Sequence, residues 1–356
     1  EHDFIHSGRE HNTALAVSKD GVTVDKEVLL LKNSAYPSDL TCHVRDPKVF
    51  AYDGKYYMVL GARTNADIGQ VLVWESDDKY NWKCINRLHT EQPFGFMWEC
   101  PDLFELDGQW ILMVSPQGIE RQTYHYQNVY TCGYFPLYGD FRNEDVKLGE
   151  FHELDYGFDF YAPQTFEDGA RRILIGWMGI PDADYTNPTE EAGWQHALTI
   201  PRELSVRDGK LIQEPIEELK QLRSEDKAVC TFCYGQTIIM QNAIYEAVVD
   251  FKRCREMVMT LREGITLSYK DNILTLNLGV YGSGRSTRKV RLEKLEHLQI
   301  FADTSSLEIF VNHGEEVFTT RIYNRHGRIL INGECSGIMT VYPLKSFEIE
   351  GGRHEE

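Results

Sequence analysis

The sequence predicts an all-β protein, a β-propeller followed by a β-sandwich. Three observations carry this. A strand–turn–strand unit recurs three times, marked by Pro47, Pro101 and Pro163, which are spaced 54 and 62 residues apart. A repeat of that length with several strands per unit is the mark of a propeller blade. Residues 228–350 then alternate apolar and polar between turns at Lys270-Asp271-Asn272, Gly282-Ser283-Gly284, Asn312-His313-Gly314 and Asn332-Gly333, as a two-sheet sandwich does. Aromatic residues make up 12% of the chain, with 19 Tyr and 6 Trp, which suits β-rich cores and also sugar-binding surfaces.

Residues 1–32 read as two strands, Thr13–Ser18 and Glu27–Leu31, broken at Lys19-Asp20-Gly21. In the first full unit, Asp46–Gly54 leads through an Asp-Gly turn into Lys55–Gly61. In the second, Cys100–Gly108 leads into Gln109–Ser115, and in the third, Ala162–Gly169 leads into Arg172–Trp177. Outer strands such as Gln70–Trp74 follow. Three full units and the back half of another leave a ring short of closure, so the chain is expected to begin inside a blade. An open ring edge would favour pairing between copies as a homo-oligomer. Glu214–Arg223 has helical apolar spacing and an acid-rich start. The expected organisation is a propeller over 1–210, a linker helix over 211–227 and a sandwich over 228–356. Ser305–Val311 and Glu316–Arg321 are expected to pair as a hairpin.

A net charge of −18 disfavours nucleic acid and anionic membrane as partners. Eight scattered Cys fit a reducing cytoplasm, and Cys230-Thr231-Phe232-Cys233 reads as part of a strand rather than half a metal site. No apolar run approaches membrane-spanning length and no signal peptide is visible, although the chain opens Glu1-His2-Asp3-Phe4 without an initiator Met.

In a propeller the first strand of each blade lines the central channel. An acidic residue lies shortly before the repeated proline in each unit, at Asp46, Glu99 and Asp159, and these are expected to converge at one channel end. Two carboxyl groups flanking a bond are what a glycosidase requires: one protonates the leaving oxygen, the other attacks the anomeric carbon or activates water. Trp98, Cys100 and Pro101 around Glu99 predict a poorly solvated setting suited to a proton donor. Arg45 beside Asp46 predicts a carboxylate held anionic. The bland alternative makes Arg45-Asp46 an ordinary surface ion pair and Glu99 a strand-end charge. Asp159, Tyr161 and Gln164 add a carboxylate, a phenol and an amide near the pocket. Trp177 and Trp194 are candidates for stacking on sugar faces, or core residues.

Arg45-Asp46-Pro47, Trp98-Glu99-Cys100-Pro101, Asp159-Phe160-Tyr161-Ala162-Pro163-Gln164, Gly176-Trp177-Met178-Gly179 and Leu198–Leu204 together resemble glycoside hydrolase family 32, the invertase and sucrose-6-phosphate hydrolase group. The likeness continues to Leu307–Asn312 and so covers nearly the whole chain. It implies a five-bladed propeller followed by a sandwich, and hydrolysis of β-fructofuranosides with retention. By position, Glu99 resembles the general acid/base, Asp46 the transition-state stabiliser, and Arg45, Asp159 and Trp194 sugar-contacting residues; Cys100, Tyr161 and Trp177 join them as candidate substrate contacts. The implied partner is a small fructoside, with no metal or organic cofactor.

One departure matters. The family's nucleophile is an Asp in a Trp-Met-Asn-Asp-Pro-Asn-Gly-like motif on the first blade, and the only other Asn-Pro here, Asn187-Pro188, has no Asp beside it. The resemblance therefore implies that the first blade and the front of the second are missing, and that this chain is inactive or slow by itself. Two other readings fit the same residues: a propeller that binds sucrose or fructan without turnover, and an enzyme for a related bond such as an arabinoside.

Overall fold

The computed structural model describes residues 3, 5–6, 9–235, 238–324 and 326–346. The last ten residues of the expected sandwich segment, 347–356, lie outside the described residues, as do Glu1, His2 and Phe4. Two compact units are present. The first comprises Glu1–Gln122, Asn128–Leu154 and Tyr161–Phe166; the second comprises Thr123–Gln127, Asp155–Phe160 and Glu167–Glu356. Among the described residues no helix is long and apolar enough to cross a membrane.

The first unit opens on an antiparallel ribbon, Thr13–Val17 with Lys26–Leu31. A four-stranded antiparallel sheet follows in chain order: Leu40–Tyr52, Lys55–Thr64, Gly69–Ser76 and Lys83–Leu88. The next sheet repeats the pattern with Met97–Leu106, Gln109–Gln117 and Gly133–Tyr138. Its outer edge is shared by two short strands, Lys147–Leu148 and His152–Glu153, both paired to Gly133–Tyr138. Asp53-Gly54 and Asp107-Gly108 close two-residue hairpins with φ of 50° and 75°, and 52° and 80°. Positive φ at both central residues is the turn whose twist matches paired strands, and Asp-Gly is the pair that tolerates it.

The middle strands of the first sheet are apolar on both faces because both faces are covered. Tyr57, Val59, Val71 and Val73 pack with Trp98, Leu103, Leu112 and Phe135 of the next sheet. Their alternates Met58, Leu60, Leu72 and Trp74 pack with Leu31 and Tyr36. Successive side chains on a strand point to opposite faces, and each fully buried aliphatic group stabilises by roughly 1.5–3 kcal/mol. Two glycines set the spacing of the sheets. A Cβ on Gly61 would lie 2.0 Å from the Trp98 carbonyl oxygen, and one on Gly69 would lie 2.4 Å from the Trp98 ring.

In the second unit, Arg171–Trp177, Arg202–Arg207 and Lys210–Pro215 form an antiparallel run in chain order. The sandwich has two six-stranded sheets. One is ordered Ala228–Phe232, Cys335–Pro343, Tyr245–Cys254, His297–Ala302, Ser306–Val311, Glu316–Arg321; the other Ile238–Met240, Ile329–Asn332, Met257–Arg262, Ile265–Lys270, Ile273–Asn277, Thr287–Arg291. Leu261, Leu267, Leu276, Leu298, Ile309 and Phe318 are among the residues filling the core between them. The expected hairpin forms, with Ser306 opposite Arg321 and Val311 opposite Glu316. Cys230 lies in strand Ala228–Phe232, as its alternation predicted.

The expected linker helix is corrected. Residues 210–215 are a strand with Leu211 and Ile212 buried, and only a six-residue 3-10 helix, Glu217–Leu222, follows. Pro215 ends the strand. The remaining turn has no fully buried residue, only Leu219 resting on Phe301, Phe310 and Val317, and a short helix is marginal in water.

Candidate active site

Three inner strands share one irregularity. The pairing register of Leu40–Tyr52 shifts between Arg45 and Lys48, and that of Met97–Leu106 shifts between Glu99 and Asp102. Asp46 has φ 62° and Cys100 φ 49°; Ala162, before the third repeated proline, has φ 50°. The preceding position of a proline is excluded from the right-handed helical region, and a non-glycine residue with positive φ costs about 1–3 kcal/mol. The x-Pro steps at Asp46 and Cys100 are thus bulges of the kind that re-aim a side chain, and Ala162 shares their positive φ.

This overturns the expected alignment of the acids. The residues in equivalent positions are Asp46, Cys100 and Ala162, and one step earlier Arg45, Glu99 and Tyr161. Glu99 therefore matches Arg45, not Asp46. The members of the second set meet. Arg45 donates to Glu99 Oε1 through Nε at 2.9 Å and Nη2 at 2.6 Å, and Tyr161 Oη donates to Glu99 Oε2 at 2.7 Å. Gln117, on the neighbouring strand, donates to Oε2 at 2.9 Å. The Glu99 side chain is 15% exposed.

Two expectations about the acids change accordingly. Arg45 makes its ion pair with Glu99, not with its neighbour Asp46. The setting of Glu99 is also not apolar. Adjacent residues on a strand face opposite ways, so Trp98 points into the core, stacks on Phe135 at 5.2 Å and donates Nε1 to Phe94 O. The Glu99 carboxylate instead meets a guanidinium, an amide and a phenol.

Asp46 is held from the next strand. Its Oδ2 accepts the Cys100 backbone N–H at 2.9 Å and lies 3.6 Å from Cys100 Sγ. Burial, with the charges of Asp46 and Glu99 beside it, pushes the Cys100 thiol well above its usual range, so the sulfur keeps its proton and donates. The Tyr161 phenol is likewise pushed up, first by burial and then by Glu99, and remains a donor. Gln164 Nε2 donates to Cys100 O at 3.0 Å. Beneath, the buried Asp102 accepts Thr165 N and Oγ1 at 2.7 and 2.8 Å and lies 3.4 Å from Lys48 Nζ. Asp46 and Glu99 are thus brought side by side through consecutive residues of one strand.

Asp159 is placed differently. It is 1% exposed, and both its oxygens are engaged within the second unit. Arg285 donates Nη2 to Oδ1 and Nε to Oδ2, each at 2.8 Å, and Oδ2 also accepts Arg321 N and Thr320 Oγ1. A buried carboxylate engaged by a guanidinium, a hydroxyl and a backbone N–H serves as an internal anchor of the second unit, whereas its expected role was a substrate contact. Trp177 and Trp194 also lie in the second unit. Trp177 meets His196 edge-on at 5.0 Å, whereas Trp194 is 47% exposed and lies 5.3 Å from the Arg321 guanidinium.

Sequence reasoning missed Gln117 and His43. Arg45 Nη1 bonds His43 Nδ1 at 2.6 Å. The signal that would have linked Arg45, Glu99 and Tyr161 was their common place two residues before the repeated proline.

Residues 2–215 match the glycosyl hydrolases family 32 N-terminal domain, and residues 225–341 its C-terminal domain. The chain belongs to glycoside hydrolase family 32. It is 38% identical over 343 residues to a sucrose-6-phosphate hydrolase of Bacillus subtilis, covering 92% of this chain and 71% of that protein. A second such enzyme, of Staphylococcus xylosus, is 37% identical over 337 residues, covering 89% and 68%. The solved structure of a sucrose-6-phosphate hydrolase from Lactobacillus gasseri superposes with a TM-score of 0.81 at 26% identity, over 90% of this chain and 69% of that one. A family 32 β-fructofuranosidase of Bombyx mori gives a TM-score of 0.77 at 28% identity, over 94% and 76%. The protein is thus a glycosidase with the family's propeller and sandwich folds.

Proposed function

We propose that Glu99 is the general acid/base and Asp46 the anionic stabiliser in cleavage of the fructosyl bond of sucrose, sucrose 6-phosphate or short fructans. The observation that carries this is the joint placement of the two carboxylates: Glu99 oriented by Arg45, Gln117 and Tyr161, and Asp46 tied to the backbone of the residue that follows Glu99. Glu99 would deliver its proton to the glycosidic oxygen as the C–O bond breaks, then take a proton from the incoming water. Asp46, accepting an N–H and facing a neutral thiol, would offset positive charge developing on the furanosyl ring. The family's nucleophile motif occurs nowhere in residues 1–356, so we assign the covalent step to no residue of this chain.

The test is fructose release from the three substrates by the full-length protein and by its Glu99→Gln variant. General acid/base catalysis contributes about 10²–10⁴-fold, so the variant should lose that much. Near-normal turnover would sink the assignment. A second reading, sugar binding without turnover, predicts saturable sucrose binding with no fructose released.

A further inference from the structure

We propose that Cys254 and Cys335 are a site of oxidative modification, where a disulfide closes between two neighbouring strands of the sandwich and stabilises it. The inference goes beyond the glycosidase reading and stands independently of it.

The two residues are 81 positions apart in the sequence, yet the fold sets them face to face. Tyr245–Cys254 and Cys335–Pro343 are antiparallel neighbours, and their pairing register ends with Cys254 opposite Cys335. One step further on, Arg255 N donates to Glu334 O at 3.0 Å. Hydrogen-bonded and non-hydrogen-bonded pairs alternate along an antiparallel ladder. Cys254 and Cys335 therefore form a non-hydrogen-bonded pair, the closer kind, with Cα atoms about 4.5 Å apart. That separation falls within the roughly 4.4–6.8 Å that a disulfide spans. Residues directly opposite one another share a face of the sheet, and here that face is the core. Cys335 belongs to the sandwich core and Cys254 packs against it. Among the described residues no other two cysteines are matched across a strand pair.

The chemistry is thiol–disulfide exchange with a low-molecular-weight disulfide. Cys254 is half-buried and Cys335 buried, so Cys254 is the one an oxidant reaches first. Its thiolate attacks one sulfur of the oxidant, giving a mixed disulfide and one free thiol. The Cys335 thiolate then attacks the Cys254 sulfur and expels the second thiol. The oxidant gains two electrons, the cysteines lose two, and their protons end on the released thiols. Burial, and then Cys335 beside it, pushes the Cys254 thiol up to about 12, and burial pushes Cys335 up to about 11. Both are protonated near neutral pH, and the exchange quickens as pH rises. The closed loop holds every strand from Met257–Arg262 to Ile329–Asn332. Tying its ends restricts the unfolded chain and so favours the folded one.

The test treats the folded full-length protein with oxidised glutathione, caps the remaining thiols with iodoacetamide and maps the peptides by mass spectrometry. The expected product joins the Cys254 and Cys335 peptides and is lighter than their sum by the two hydrogens lost. It forms faster at alkaline than at neutral pH, and dithiothreitol restores both thiols. The melting midpoint of the oxidised protein should lie about 3 °C or more above that of the reduced protein. Cys335→Ser should keep glutathione on Cys254 and show no such rise on oxidation. In the unmodified protein, two capped thiols or glutathione retained on Cys254 overturns the proposal. So does a cross-link that leaves the midpoint unchanged, or a rise of equal size in Cys335→Ser. Where that variant fails to fold, the peptide map and the midpoint of the unmodified protein decide by the same outcomes.

Discussion

Arg45 and Glu99 sit 54 residues apart in the sequence and form one ion pair, with both Nε and Nη2 of the guanidinium on a single oxygen of the carboxylate at 2.9 and 2.6 Å. Because only Oε1 is taken, Oε2 is left to Tyr161 and Gln117. The carboxylate is thereby fixed in orientation from three strands.

That arrangement predicts the effect of Tyr161→Phe. The change keeps the ring in its buried place and removes one donor from Glu99. A hydrogen bond to a charged group is worth about 1.5–3 kcal/mol, so kcat should fall roughly ten- to hundredfold while KM changes little. Steady-state kinetics of the full-length protein, with a thermal melt to show that the fold is kept, would check this. A larger effect on KM than on kcat would mean that Tyr161 binds sugar instead of orienting the acid.

Gly61 stands opposite Arg45 in the strand register and against the Trp98 carbonyl. Gly61→Ala would force the two sheets apart where Arg45 reaches Glu99. Overpacking of this kind costs about 1–3 kcal/mol. The expected outcome is a lower denaturant midpoint together with reduced turnover. Unchanged stability would show that the Trp98 strand can move aside freely.

Asp159 tests the division between scaffold and site. Asp159→Ala leaves Arg285 as a buried charge without its carboxylate, a loss of about 3–5 kcal/mol. Chemical unfolding should show that loss directly. A stable Asp159→Ala protein with abolished activity would return Asp159 to the substrate-contact role that its position in the sequence first implied.

His43 gives a pH dependence. Its pKa is lowered on folding from the ordinary 6.5 to about 4 by burial and the surrounding guanidinium groups. The unfolded chain therefore binds more protons between those two values, and stability falls as pH drops from 6.5 towards 4. His11, also lowered by burial, acts in the same direction. Denaturant midpoints at pH 7 and pH 4.5 should be closer together in His43→Asn than in the unmodified protein; an identical gap would show that the imidazole titrates normally in the fold.

Much of the fold was legible because it depends on local chemistry. Asp53-Gly54 and Asp107-Gly108 announce hairpins through the one turn type that needs positive φ twice. The strands announce themselves by alternation, and Pro47, Pro101 and Pro163 mark the repeat. The linker helix failed because Leu211 and Ile212 are taken into a strand, leaving only one 3-10 turn in which Leu219 is no more than partly buried, and periodicity carries no information about the partner surface.

The sequence by itself determined that Asp46 and Glu99 belong to consecutive repeats and that their neighbours are Arg45 and Cys100. Only the tertiary structure decided which of these face one another. The x-Pro bulges at Asp46 and Cys100 shift their strands by one residue, and Ala162 has the same positive φ. A one-residue shift sends a side chain to the other face of a strand. That is why Glu99 meets Arg45 and Tyr161 and why Asp46 meets the backbone of Cys100, while Asp159, ahead of the third inner strand, lies buried against Arg285.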